Sequence, residues 1–114
     1  MATPGVNDKY DPSEPEDMMS RRARIINLLE ERDLSPSEIA MLLGLRGKGA
    51  KNIVLEDLKA IRRILRREGK VLMIKPAVCR KCGFVFKVEI KIPGRCPRCR
   101  SEWIEEPRFI IREI

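Results

Sequence analysis

Two short cysteine clips, Cys79-Arg80-Lys81-Cys82 and Cys96-Pro97-Arg98-Cys99, constrain this chain more than any other feature. Two residues between paired thiolates let both sulfurs reach one ion at about 2.3 Å, and two clips on facing loops close a four-sulfur tetrahedron. The thirteen residues between them, 83–95, are slightly fewer than a zinc ribbon usually has, yet enough for a hairpin. One structural zinc at Cys79, Cys82, Cys96 and Cys99 is the expectation, because a closed shell leaves no place for a catalytic water. Spacing alone also suits iron, as a one-iron redox centre or a cluster, and disulfide pairing is the remaining alternative. No apolar signal segment opens the chain, so a reducing cytoplasm is the expected compartment, where disulfides are rare.

The 114 residues suffice for one small domain with an appendage, and no stretch is apolar for long enough to cross a bilayer. The net charge of +7 combines −4 over residues 1–18 with +11 over residues 19–114. Thiolates and a divalent ion would remove only a little of that surplus, so a polyanion, nucleic acid first of all, is the partner to consider. Crowded Arg, Lys and Glu also mark proteins built for heat, and this chain has no Gln and no His. The arrangement of the charges therefore has to decide.

Residues 1–18, with three prolines and scattered acids, have little to bury and predict a disordered tail. From about Ser20 to Arg32, Ile25, Ile26, Leu28 and Leu29 recur at helical spacing. Ser35-Pro36-Ser37-Glu38 is a capping box that starts a second helix, with Ile39, Ala40, Leu42 and Leu43 on one face and Gly44 ending it. The turn Gly44-Leu45-Arg46-Gly47-Lys48-Gly49 resembles a phosphate loop only superficially, since Leu42 and Gly49 stand where that motif needs a glycine and a hydroxyl. A third helix is predicted from about Ala50 to Glu68, with Val54, Leu58, Ile61 and Leu65 on its apolar stripe and Gly69 as its stop. At 100° per residue, Lys59, Arg63 and Arg66 lie within about 40° of Asn52 on the opposite side. Val71 to Ile74 reads as a buried strand closed by Pro76, Phe84 to Ile92 alternates as a second, and Pro107 to Ile114 is a last strand whose partner is the first.

Three helices, the second and third joined by a short turn, then two antiparallel strands, give an α+β order matching a winged helix-turn-helix. Its expected extent is 19–76 plus 107–114, with a four-cysteine ribbon, 77–106, inserted where the wing tip would be. About thirty residues bury too little apolar surface to fold unaided, so the ion supplies stability.

Several segments together carry a resemblance. Ser35-Pro36-Ser37-Glu38-Ile39-Ala40, Arg46-Gly47-Lys48-Gly49, Ile74-Lys75-Pro76-Ala77, Cys79-Arg80-Lys81-Cys82-Gly83-Phe84 and Cys96-Pro97-Arg98-Cys99 with Ser101-Glu102-Trp103-Ile104 are similar to archaeal predicted transcriptional regulators. Those proteins fuse a winged helix to a rubredoxin-like zinc ribbon. The resemblance, over residues 20–114, implies zinc at the four cysteines and a DNA-binding role.

On the residues themselves, Lys51, Asn52, Lys59 and Arg63 are expected to face the major groove of double-stranded DNA, Asn52 being suited to an adenine edge. Arg46 and Lys48 would contact phosphates, and Ser35 with the second helix's N-terminus a further one. Arg80, Lys81, Arg95, Arg98 and Arg100 would extend along the backbone, dock a protein or simply solubilise the ribbon. A protein-binding accessory is the competing class, favoured if Ile90, Ile92 or Trp103 form one exposed patch, and iron electron transfer is a third. With no histidine, nucleophile–base pair or carboxylate pair, catalysis is not expected. Glu56, Asp57, Glu105 and Glu106 read as salt-bridge partners on a charged surface.

Overall fold

Local signals set the three helices. The computed structural model describes residues 16–114 as α1 (Glu16–Glu31), α2 (Pro36–Leu42), α3 (Ala50–Arg67), β1 (Lys70–Lys75), β2 (Val78–Cys79), β3 (Ile104–Glu105) and β4 (Arg108–Glu113). α1 starts at Glu16, upstream of the expected Ser20; residues 1–15 of the anticipated acidic tail lie outside the described residues. The capping box forms as read: Glu38 N donates to Ser35 Oγ at 3.2 Å, and Ser35 N to Glu38 Oε1 at 3.0 Å. At the other end of α2, Leu45 N donates to Ala40 O and Gly44 N to Met41 O, with Gly44 at φ 74°, a Schellman stop that glycine permits. α3 ends before Gly69, whose φ is 69°.

The apolar stripe of α3 faces inward. Val54, Leu58, Ile61 and Leu65 are fully buried with Ile25, Ile26 and Leu29 of α1, Ile39 of α2 and Phe109 of β4. α3 packs on α1, α2 and β1, and α1 packs on β4. β1 and β4 pair antiparallel, as expected, in a register that sets Leu72 opposite Ile111 and Ile74 opposite Phe109. Alternation puts Leu72, Phe109 and Ile111 in the core and leaves Val71 and Met73 exposed. Leu34, between α1 and α2, adds a one-residue bridge: it exchanges backbone hydrogen bonds of 2.9 and 3.0 Å with Phe109.

Asp57 sits on the inner side of α3 with only 1% of its surface exposed, not on the charged surface where it was expected. The Arg21 guanidinium clasps it through two nitrogens, and Arg22 Nε donates to it at 3.0 Å. A carboxylate removed from water needs such partners, so this triad fixes α1 against α3.

The predicted strand from Phe84 to Ile92 does not form. Only Val85 makes a bridge, to Val78, and Phe86 N donates to Ala77 O at 2.9 Å. Alternation needs a partner strand to become a ladder, and instead the two ends of the ribbon pair, β2 with β3 through Val78–Glu105 and Cys79–Ile104. Phe84 and Phe86 stack edge to face at 5.1 Å, while Val85 and Val88 stay exposed. Ile90 leaves the ribbon and joins the helical core.

Candidate metal centre and basic face

The two clips fold as twin knuckles. Cys79 N donates to Phe84 O and Gly83 N to Cys79 O; Cys96 N donates to Ser101 O and Arg100 N to Cys96 O. The repeat is residue for residue, and at its equivalent corners Gly83 has φ 82° and Arg100 φ 65°. Glycine adopts that left-handed conformation freely. Arg100 is the one non-glycine residue with positive φ among the described residues, a conformation that costs an ordinary side chain about 1 kcal/mol.

The knuckles bring the four sulfurs within 4.8 Å of one another. Cys79 Sγ lies 3.5 Å from Cys99 Sγ, and Cys82 Sγ 3.6 Å from Cys96 Sγ. Bonded sulfurs would be about 2.0 Å apart, so these are free thiols rather than disulfides. Four sulfurs about 2.3 Å from a tetrahedral zinc lie about 3.8 Å apart along each edge, close to the spacing here. Arg98 N donates to Cys96 Sγ at 3.3 Å, the kind of backbone support that orients a thiolate ligand. The set fits one structural zinc, which would supply cross-linking and no reaction step.

The four thiols are not electrostatically equivalent. Burial works against ionising Cys79, but backbone donors of Cys82 and Lys81 and the neighbouring thiols bring it down to about 6. Cys96 is lowered in the same way, against burial, by backbone donors of Cys99 and Arg98. Cys99 receives a lowering hydrogen bond from Ser101, yet burial and its three sulfur neighbours push it up to about 11. A divalent ion therefore binds as protons leave.

The cationic residues fall into two groups. Arg46, Lys48, Lys51 and Asn52 are all exposed around the turn into α3. Lys51 Nζ is held 3.1 Å from Glu106 Oε2. Lys59 and Arg63 are exposed further along the helix, with Lys59 3.2 Å from Glu56. There, Lys59, Arg62, Arg63 and Arg66 form one wall of a groove of about 590 Å³, and Glu89, Ile90 and Lys91 of the ribbon form the other.

Glu106 corrects the expected phosphate contact at the second helix. Its carboxylate already accepts from Ser37 N at 3.0 Å and Ser37 Oγ at 2.6 Å, and Ser35 is used by Glu38. Burial opposes its charge, but these donors and Lys51 hold Glu106 below the usual carboxylate range. The other expected acids do make ion pairs: Glu56 with Lys59, and Glu105 with Arg80 at 3.9 Å. Ribbon arginines are likewise engaged, Arg95 with Glu102 at 3.2 Å and Arg98 with the Cys82 carbonyl at 3.3 Å. No helix among the described residues is long and apolar enough to cross a membrane.

Known proteins share both halves of this arrangement. Residues 20–73 match the PF0610-like N-terminal family, and residues 76–113 match the PF0610 rubredoxin-like zinc β-ribbon domain. No curated protein matches the chain. Protein PF0610 from Pyrococcus furiosus, solved in solution by NMR, is 64% identical over 83% of this chain and 90% of its own, with a TM-score of 0.75. A four-thiolate site, a helical part ahead of it and that degree of identity place this chain in the PF0610-like family, whose C-terminal part is a rubredoxin-like zinc ribbon.

Proposed function

We propose that this protein is a double-stranded-DNA-binding transcriptional regulator of the winged-helix class, acting in the cytoplasm and catalysing no reaction, with the ribbon in place of the wing tip. The Leu34–Phe109 bridge supports the fold reading, since helix, short strand, helix, turn, helix and a two-stranded wing sheet is the winged-helix order. The functional reading rests on one observation: the turn and α3 present Arg46, Lys48, Lys51, Asn52, Lys59 and Arg63 to solvent on a chain with a large cationic surplus. Arg46 and Lys48 position the helix on phosphates, Asn52 reads an adenine edge, and Lys51, Lys59 and Arg63 add contacts to the DNA along α3. Lys51 does so by exchanging the Glu106 carboxylate for a phosphate.

A ribbon that binds protein instead would be favoured by Ile90, Ile92 or Trp103 exposed as one patch. Ile90 is buried and Ile92 half-buried, leaving Trp103 exposed without them. The test is duplex affinity against salt, where log affinity should fall with log salt at a slope of about −4 to −7. Asn52→Ala should relax base preference and Lys48→Ala should weaken all sequences alike. A flat salt response rejects the reading.

A further inference from the structure

The C-terminal half of α3 differs from its N-terminal half in having a wall beside it. From Lys59 to Arg67 the helix has no acidic residue, and Lys59/Arg63 and Arg62/Arg66 are like-charge pairs one turn apart. Such pairs repel one another in the free protein, so the face gains most when a polyanion covers it. Across the groove stands the 89–91 loop, whose Lys91 adds a fifth cation against the single carboxylate of Glu89. Ile90 holds that loop in place by burying itself in the helical core.

This wall changes what can reach the helix. An α-helix with its side chains is about 10–12 Å across and fills the DNA major groove, about 12 Å wide, leaving no room there for a second element beside it. Here one flank of residues 59–66 is occupied by the ribbon. A run of phosphates can still lie along the cleft. Lys59, Arg63 and Arg66 climb the helix by about 10 Å, long enough for neighbouring phosphates of one DNA strand to lie beside them. Arginine forks suit phosphate oxygens two at a time.

The geometry points to a phosphate-backbone site between α3 and the zinc ribbon, with Arg62, Arg63 and Arg66 on one wall and Lys91 on the other, that grips one strand of the bound DNA. It rests on the DNA-binding reading and deepens it: Lys59 and Arg63 serve the backbone, and base readout falls to the start of α3. The ribbon is thereby a clamp.

The test uses the full-length, zinc-loaded protein and a fluorescein-labelled duplex, titrated at several salt concentrations. Lys91→Glu, at an exposed ribbon position, should weaken binding about tenfold and make the salt slope shallower by about one or more. Lys87→Glu, the same charge change on the ribbon outside the groove, should have a much smaller effect, and zinc content should be unchanged in both. Equal losses for the two variants, or wild-type binding by Lys91→Glu while Lys48→Glu is impaired, overturn the clamp and leave the winged-helix reading intact. Failure of the wild type to bind duplex overturns both. Inorganic tripolyphosphate, followed by amide NMR shifts over residues 59–66 and 89–91, separates the two sources of phosphate. Shifts there, combined with Lys91-dependent duplex affinity, support the strand site; shifts without that dependence assign the groove to a free polyphosphate and overturn it.

Discussion

In the helical part, Ile25, Ile26, Leu29, Ile39, Val54, Leu58, Ile61, Leu65 and Phe109 have no contact with water, whereas in residues 77–106 the buried side chains are Ala77, Cys79, Ile90 and Cys96. Ile90 belongs to the helical core rather than to the ribbon. The ribbon's own centre is therefore two buried cysteines and one alanine, and its strands are two residues long. Apolar burial, at about 25 cal/mol per Å², stabilises the first region. The second has too little of it, so the ion has to serve as its core.

That contrast should appear first on losing a ligand. Cys79→Ser should weaken zinc binding by about 3 kcal/mol or more, roughly a quarter of what four ligands supply in small zinc domains. Zinc retention against a competing chelator measures it, and NMR should show ribbon amides collapsing while α1–α3 keep their dispersion. A comparable loss throughout the helices would erase the distinction between the regions.

The reciprocal change is Leu58→Ala, which should cost the helical part about 2–5 kcal/mol in urea unfolding while zinc affinity stays close to wild type. A large fall in zinc affinity would show that the two parts share one core. A smaller effect of opposite sign is expected at the second knuckle. Arg100→Gly should stabilise the ribbon by about 1 kcal/mol, read as tighter zinc retention, because glycine adopts the corner conformation without cost. No gain would mean that Arg100 is not strained there.

The junction between the regions should show the smallest effect. Glu106 is held below the ordinary carboxylate range by Ser37 and Lys51, so its contribution is complete above that range. It is lost as the pH falls through the lowered folded value. Allowing for solvent screening, the loss is about 0.5 kcal/mol. Unfolding free energy against pH should show this acid limb in the wild type and not in Glu106→Gln; identical profiles would place the junction elsewhere.

What could be read from sequence was what nearby residues determine. The capping box spans Ser35 to Glu38, the α3 stripe repeats within a helix, and each clip closes over a few residues. Long-range partners were not legible. Asp57 looks like any surface acid until α1 delivers Arg21 and Arg22, and Glu106 until it meets Ser37, 69 residues away. The alternation from Phe84 to Ile92 signalled a strand, but its pairing stops at the single bridge from Val85 to Val78, and Ile90 is drawn into another core. One missed feature was available: aligning the two clips puts Arg100 at the place of Gly83, which marks a strained corner. The two-residue ladder between β2 and β3 carries no pattern of its own and depends on the metal-binding knuckles beside it.

Amide hydrogen exchange, compared between zinc-loaded protein and protein stripped by chelator under reducing conditions, tests the division of labour most directly. Protection should vanish at the knuckle amides of Cys79, Gly83, Cys96 and Arg100 and persist in α3 at Leu58, Ile61 and Leu65. Undiminished protection of the knuckles without metal would contradict the claim that the ion is the ribbon's core.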